Sequence, residues 1–206
     1  MSSWPIVRLG DLAADEESAI AIGPFGSRMK ADNYIPSGVR VIRGQNFTDT
    51  GGLTGEYVFV SEEFASTLGA SRLLEGDIVL PHRGAIGRAA LVPPGAYVMS
   101  TSLMRILDRA CACPEYVNAF LCSNAGRQEI LKFASTVGTP GIGQPLASLR
   151  RVKLPLPPIE EQERIAGVLG ALDGLIEANR SVSERASALA AAIASTATAS
   201  PRPGIA

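Results

Sequence analysis

The sequence predicts an α+β fold, in which a mixed-sheet domain is followed by one long C-terminal helix that forms a coiled coil. Three observations predict it. Short β-like runs alternate with Gly/Pro turns up to about residue 151, and helical patterns are few in that region. Beyond it, apolar residues recur at steps of three and four. A chain of 206 residues has room for one domain and a helical arm.

The first predicted domain, residues 1–153, is built from short elements around a twisted, mostly antiparallel or mixed sheet. Its β-like runs are Val39–Ile42, Tyr57–Val60, Asp77–Leu80, Arg88–Val92, Tyr97–Met99 and Leu103–Leu107. Helical patterns are predicted at Ser61–Ser66, Glu115–Leu121 and Ala125–Phe133.

The helical arm, residues 154–198, begins with a proline-rich entry. Pro155, Pro157 and Pro158 favour an extended approach followed by a helix start, since proline fixes φ and needs no donor in the first turn. Glutamates at 160, 161 and 163 then place negative charge at the positive end of the helix dipole. The tail, residues 199–206, is rich in Pro and Gly and is predicted to be disordered.

The arm carries an a/d heptad stripe, which is typical of a coiled-coil seam rather than of a helix packed only on its own domain. Asn179 occupies an a-type position, where one buried asparagine fixes register and partner number at some cost in stability. The predicted seam consists of Ile165, Val168, Leu172, Leu175, Asn179, Val182, Ala186 and Leu189, and the pattern continues to Ile193.

Charge and composition limit the classes of partner. The net charge is −1, which is unusual for a protein that binds nucleic acid unaided. Residues 127–153 nevertheless hold five basic residues against Glu129 alone, so any DNA contact should be local and should need help from a basic partner. No apolar run is long enough for a membrane span and the start has no signal-peptide pattern, which predicts a cytoplasmic protein without a membrane partner.

No catalytic, cofactor or metal site is predicted. The run at 138–144 lacks the Lys-Ser/Thr of a phosphate loop. Cys111, Cys113 and Cys122 lack a nearby fourth zinc ligand, because the only histidine, His82, is distant in sequence, and they are interpreted as buried free thiols. An enzymatic interpretation would rest on these cysteines and His82 alone.

Three glycine-containing segments carry side chains suited to DNA. They are Gly23–Lys30, Arg43–Asn46 and His82–Arg88. Glycine lets a backbone turn tightly and approach a ligand closely. Arginine pairs bidentately with guanine, glutamine and asparagine pair with adenine, and serine and lysine suit phosphate oxygens. The alternative is that these segments are plain turns between strands, with solvated arginines.

Several of these motifs, in this order, resemble the specificity (S) subunit of type I restriction-modification systems. The most specific is the P-L-P-P-I-E-E-Q-x-x-I-A-x-x-L-x-x-L-D-x-x-I block within Leu154–Ile176. Weaker similarities lie at Trp4–Asp11, at the G-P-F-G-S run of 23–27, at the V-I-R-G-Q-N run of 41–46, at the E-G-D-I-V run of 75–79 and at Gly-Thr 138–139. Together they extend from Trp4 to about Arg180.

The resemblance implies a target-recognition domain that reads double-stranded DNA and performs no chemistry itself. Such a subunit scaffolds DNA adenine methyltransferase (modification) subunits, which carry S-adenosylmethionine, and the complex can recruit a translocating restriction subunit. The resemblance favours DNA contacts by the glycine segments, and it adds two residues near the Gly-Thr run. The candidate DNA-binding residues are Ser27, Arg28, Lys30, Arg43, Gln45, Asn46, Arg83, Arg88, Thr139 and Gln144.

The chain departs from the family in length, because a complete S subunit has two recognition domains and two spacer helices that pack antiparallel. One of each is found here, so the chain resembles a half subunit. A homodimer through the helix, related by a two-fold axis, is the simplest completion and would read an interrupted palindrome. Pairing with a different half subunit and a truncated remnant are the alternatives.

A different class of function is also open. The chain could be a coiled-coil dimerisation or adaptor protein without DNA specificity, in which the heptad arm is the functional part. Salt-sensitive binding to duplex DNA separates the two, because phosphate contacts weaken steeply with salt.

Overall fold

The computed structural model describes residues 4–13, 19–24, 28–106, 112–135 and 140–199, and it confirms the α+β fold with mixed sheets and a long C-terminal helix. The strands are short. They are β1 Ile6–Arg8, β2 Ile20–Ile22, β3 Val39–Ile42, β4 Val58–Val60, β5 Arg72–Leu73, β6 Ile78–Pro81, β7 Ala90–Leu91, β8 Tyr97–Met99, β9 Leu103–Ile106, β10 Ala134–Ser135, β11 Gly141–Ile142 and β12 Lys153–Pro155.

The helices are short as well, except for the last. They are α1 Leu9–Leu12, α2 Glu62–Ser66, α3 Pro114–Cys122, α4 Asn124–Leu131, α5 Pro145–Arg151 and α6 Ile159–Ala199, with 3-10 turns at Ala31–Asn33, Gly44–Asn46 and Gly69–Ser71. Ser61 and Ser123 cap α2 and α4 by accepting hydrogen bonds from Phe64 N and Gly126 N.

The predicted strands and helices are all present, with ends that shift by one or a few residues. The run Arg88–Val92 pairs only at Ala90–Leu91, and Leu107 lies outside the described residues. The sequence did not predict β1, β2, β5, β10, β11, β12, α1 or α5. These elements are two to seven residues long, which is too short to display a period of 2.0 or 3.6.

Two four-stranded sheets stack face to face. The first has the order β2-β9-β6-β7 and is antiparallel throughout. The second has the order β4-β3-β8-β5, and its central β3–β8 pair is parallel. Val79 and Leu103 of the first sheet share one apolar cluster with Ile42 and Met99 of the second.

The first sheet is buried on both faces. Its other face, with Ile78, Leu80 and Met104, packs on the helices. The strands β6 and β9 are therefore apolar at almost every position, because no face of either strand meets water. One buried ion pair joins the sheets: Arg105 Nη1 of β9 lies 3.0 Å from Asp77 Oδ2 and 3.1 Å from the carbonyl of Arg72 in β5.

The entry to α6 belongs to the domain and not to a separate arm. Lys153–Pro155 forms β12 and pairs antiparallel with β1. Gln162, in the first turns of α6, is buried, and its side chain accepts from Cys113 N and donates to Pro157 O. The helix starts at Ile159, and the first compact unit extends to Ala166, whereas the sequence placed the boundary at residue 153.

The second unit, residues 167–206, consists of the remainder of α6 and the tail, of which 200–206 lie outside the described residues. Large apolar side chains along this part of α6 are exposed. In the described part of the chain, no helix is long and apolar enough to cross a membrane.

One turn, Ser100–Ser102 between β8 and β9, holds the ends of several strands together. Ser100 N donates to the carbonyl of Ile42 at the end of β3. His82 N, just after β6, donates to the carbonyl of Ser102. Gly23 N, just after β2, donates to the carbonyl of Leu103 at 2.7 Å. Strand ends from both sheets therefore meet at this turn.

Gly23 approaches the turn so closely that only glycine fits. A Cβ atom at Gly23 would lie 1.9 Å from the Ser100 carbonyl oxygen, whereas a Cβ at Gly44 would meet nothing within 4 Å. We expect Gly23→Ala to lower the free energy of unfolding by about 1–3 kcal/mol or more, because backbone must move to admit the methyl group. Urea denaturation of the purified protein measures this change.

Gly44→Ala is the matched control, since it makes the same chemical change in the neighbouring strand-end segment. Its free energy of unfolding should stay within about 1 kcal/mol of the wild type, because Gly44 has no positive φ and open space around it. Equal stability of the two variants would contradict the role given to the turn.

Candidate nucleic-acid interface

The fold divides the first segment singled out by the sequence, Gly23–Lys30. Gly23 lies against the Ser100–Ser102 turn. Arg28 and Lys30 are exposed on either side of Met29, which is buried on the far face of the second sheet with Val39 and Val41. Ser27 lies outside the described residues. Within the described part of this segment, the contact with the turn is made by Gly23.

The second segment, Arg43–Asn46, presents one of its three candidates to solvent. Gln45 is exposed in the 3-10 turn. Arg43 is half-buried, and its guanidinium reaches the carbonyl of Glu56 at 3.4 Å. Asn46 is fully buried: its Oδ1 accepts from Arg43 N, and its Nδ2 donates to the carbonyls of Thr54 and Glu56.

In this structure the amide of Asn46 has a structural role, and the DNA contact predicted for it stays a prediction. Three hydrogen bonds occupy its amide, and breaking them to reach a base would leave buried backbone carbonyls unsatisfied. The side chain fixes the 3-10 turn that holds Gln45 at the surface.

The third segment, His82–Arg88, also separates into a surface arginine and a structural one. Arg83 is exposed. Arg88 is half-buried, with Nη1 donating to the carbonyl of Phe47 at 3.2 Å and Nη2 paired with Asp49 Oδ1 at 3.0 Å. Arg88 thus joins this segment to the loop after Asn46, and the DNA contact predicted for it stays a prediction.

His82 anchors the third segment to the central turn. Its ring is buried, and Nε2 lies 3.2 Å from the carbonyl of Thr101, which can only accept, so Nε2 carries the hydrogen. Burial lowers the pKa of His82, while the hydrogen bond to Thr101 opposes that effect and the nearby Arg83 charge adds to it. A neutral imidazole at physiological pH therefore holds the turn.

The segment after residue 140 pairs with the third segment. Arg83 and Gly141 form an antiparallel bridge, and Ile142 N donates to the carbonyl of His82 at 2.8 Å. Gly84 N donates to the carbonyl of Pro140. The two glycine-rich stretches are thereby held side by side, although they are more than 50 residues apart in the sequence.

Gln144 sits at the end of this paired segment in a special backbone conformation. Among the described residues it is the only non-glycine with a positive φ, 48°, in the left-handed region. It precedes the first turn of α5, and its side chain is exposed. Thr139, the other candidate here, lies outside the described residues.

Gln45, Arg83 and Gln144 are thus the exposed DNA-binding candidates in the segments that meet at the Ser100–Ser102 turn, directly or through His82. We call these three residues the recognition edge. Their side chains can offer the donors and acceptors that pair with guanine and adenine. The sequence did not single out the turn itself, because Ser100, Thr101 and Ser102 act through backbone carbonyls and amides that leave no motif.

The candidate seam of α6 is exposed along most of its length. Val168, Leu172, Leu175, Val182 and Leu189 are between 51% and 65% exposed, and Asn179 and Ala186 are exposed too. Ile165 differs, because it is half-buried against the core of its own domain. The stripe that is free for a partner helix therefore begins at Val168 and not at Ile165.

The described residues form neither a metal-binding site nor a site for a reactive cysteine. No group of three or more His, Cys, Asp or Glu side chains in that part of the chain could hold a metal ion. Cys113 and Cys122 are only partly buried, whereas the sequence analysis expected buried thiols, and Cys111 lies outside the described residues. Burial raises the pKa of the Cys113 thiol, which disfavours the reactive thiolate.

The fold is similar to that of several solved structures. One, titled as the structural basis of complex assembly and conformational transition of the type I R-M system, aligns at TM-score 0.64 and 20% identity, over 91% of this chain and 43% of that one. The HsdS subunit of Thermoanaerobacter tengcongensis aligns at TM-score 0.58 and 20% identity, over 86% of this chain and 39% of its own.

The S subunit of M. genitalium aligns at TM-score 0.62 and 14% identity, over 88% of this chain and 42% of its own. The chain therefore spans less than half the length of these three structures. No curated protein matches the sequence. The profile of the type I restriction modification DNA specificity domain family matches residues 1–185, and the chain belongs to that family.

Proposed function

We propose that this chain is a half-length specificity subunit that reads one half of an interrupted site in duplex DNA. As a homodimer it would direct DNA adenine methyltransferase subunits to that site, and with a translocating restriction subunit it would direct cleavage. The proposal rests on backbone hydrogen bonds that tie three segments to one turn, directly or through His82, while Gln45, Arg83 and Gln144 of these segments are exposed.

Within these segments some polar side chains brace the loops and others are exposed, and this difference supports recognition of a DNA sequence. Arg43, Asn46 and Arg88 use their side chains to hold loops together, while Gln45 and Arg83 beside them are left exposed. Loops braced in this way lose little conformational entropy on binding, which favours discrimination between bases. Arg28 and Lys30 are exposed cations away from the turn and suit phosphate contacts.

The chain would contribute recognition and assembly, and the chemistry would come from the methyltransferase partner. A homodimer is favoured by the exposed apolar stripe on α6. Leu169 and Ile176 are also exposed beside the stripe, which widens the apolar surface available to a second helix.

The adaptor function is the second candidate, and the same exposed stripe favours it. An adaptor would use α6 alone, and the recognition edge would then be inert. Variants of the edge separate the two functions, because they leave the helix unchanged.

The edge is tested by selecting bound duplexes from a random library, using the chain assembled with its methyltransferase. Arg83→Ala, Gln45→Ala and Gln144→Ala should each relax the choice of base at one position of the enriched motif. Each should weaken binding by about 1–3 kcal/mol, because alanine cannot form the bidentate hydrogen bonds to a base edge.

Arg185→Ala, which removes an exposed arginine of α6 instead, is the control and should leave the motif unchanged. An identical motif and affinity for all three edge variants would refute the assignment of the edge. Failure of the wild-type complex to enrich any motif would favour the adaptor function.

The helix is tested by analytical ultracentrifugation of Leu172→Glu combined with Leu175→Glu. Two carboxylates in an apolar seam would lose their hydration, so we expect the dimer to dissociate into monomers. Ser187→Glu adds a carboxylate at an exposed b-type position of the same helix and should leave the dimer intact. A wild-type chain that is monomeric both alone and with its methyltransferase would contradict the homodimer.

A further inference from the structure

A basic groove lies at the opposite end of α5 from the recognition edge. Its volume is about 650 Å³, and it is lined by Arg8, Glu129, Lys132, Phe133, Arg151 and Lys153. The excess of basic residues over 127–153 is the one hint of it in the sequence, but Arg8 joins them only because β1 pairs with β12.

Arg8 and Lys153 face each other directly across the β1–β12 pair, and both are exposed. Residues that are directly opposite in an antiparallel pair share one face, and like charges in this position destabilise it. The backbone amide of Arg8 donates to Asp11 Oδ2. Among the described residues, however, no carboxylate forms an ion pair with the side chains of Arg8, Arg151 or Lys153.

The one acidic side chain in the groove does not compensate these charges. Glu129 is already paired with Lys132, three residues further along the chain. Among the described residues, three cationic side chains of this concave surface therefore have no carboxylate partner. A bound anion would offset their mutual repulsion.

Stabilisation of the fold explains the position of Arg151 in the groove, but it does not explain the positions of Arg8 and Lys153. Arg151 lies in the last turn of α5, where a cation favours the negative end of the helix dipole, and its guanidinium stacks 5.3 Å from the centre of the Phe133 ring. Neither effect accounts for Arg8 opposite Lys153, a pairing that weakens the strands it joins.

The position of the groove favours DNA over an acidic protein surface. The seven residues of α5 separate Gln144 of the recognition edge from Arg151 of the groove by about 10 Å. The major groove of duplex DNA is about 12 Å wide and is bordered by phosphates. A chain that reads bases near Gln144 would therefore have phosphates within reach of the basic groove.

We propose that the basic groove binds the sugar–phosphate backbone of duplex DNA independently of sequence. This rests on the proposed function for its orientation on DNA. The cations of the groove fix the position of the protein along the DNA and add affinity, while the recognition edge selects bases.

The test uses Arg8→Gln combined with Lys153→Gln, in the full chain assembled with its methyltransferase. The probe is a pool of fluorescent duplexes of mixed sequence, and affinity is measured by anisotropy over a series of salt concentrations. Removal of one cation that neutralises a phosphate should reduce the slope of log affinity against log salt by about 0.9, so the double variant should show a slope smaller by nearly two units.

The control is Arg180→Gln combined with Arg185→Gln, which removes the same charge from α6 and should preserve the slope. Thermal denaturation should show the groove variant at least as stable as the wild type, since a like-charge pair has been removed. A smaller slope in the groove variant alone therefore reports weaker phosphate binding rather than unfolding.

Three outcomes would overturn this inference. An unchanged slope in the groove variant, while Arg83→Ala still alters the selected motif, would refute the groove and leave the proposed function standing. Loss of the methyltransferase from the groove variant, with DNA affinity kept, would assign the groove to an acidic protein partner. Absence of any DNA binding by the wild-type complex would refute both the groove and the proposed function.

Discussion

The close approach of Gly23 to the Ser100–Ser102 turn is the constraint on which the arrangement of the domain depends. The turn forms backbone hydrogen bonds at the ends of β3 and β6, and Gly23, just after β2, lies against its Ser100 carbonyl, so it joins both sheets at one edge. His82 adds a side-chain bond from its buried, neutral ring. Because these strand ends meet at one turn, the segments Arg43–Asn46 and His82–Arg88 begin close together although they are distant in the sequence.

The sequence predicted the regular part of the fold well, and the reasons are physical. Runs such as Val39–Ile42 and Leu103–Ile106 are largely apolar because their strands are mostly buried. The heptad stripe of α6 is visible because it is repeated over several turns. The strands β1 and β12 were missed because three residues carry no period, and their pairing spans almost the whole domain.

The sequence predicted which segments belong to the candidate site, but it did not predict which of their residues brace loops and which are exposed. Composition indicated that Arg43–Asn46 and His82–Arg88 were special, and the fold brings both to one turn. Composition did not show that Asn46 and Arg88 use their polar groups on carbonyls and on Asp49, since the same residue types serve DNA contact and loop bracing equally well. The basic groove was indicated only by the excess of basic residues over 127–153, because Arg8 and Lys153 are neighbours in three dimensions and not in the sequence.

The central claim, that this chain reads half of an interrupted site as a homodimer, is tested most directly by the methylation that it directs. The chain would be co-expressed with the methyltransferase subunit encoded beside it, and methylated adenines would be mapped across the host genome by long-read sequencing. Two identical recognition domains related by a two-fold axis predict an interrupted palindrome. An asymmetric bipartite motif would contradict the homodimer, and no new methylation by an assembled complex would contradict the recognition function itself.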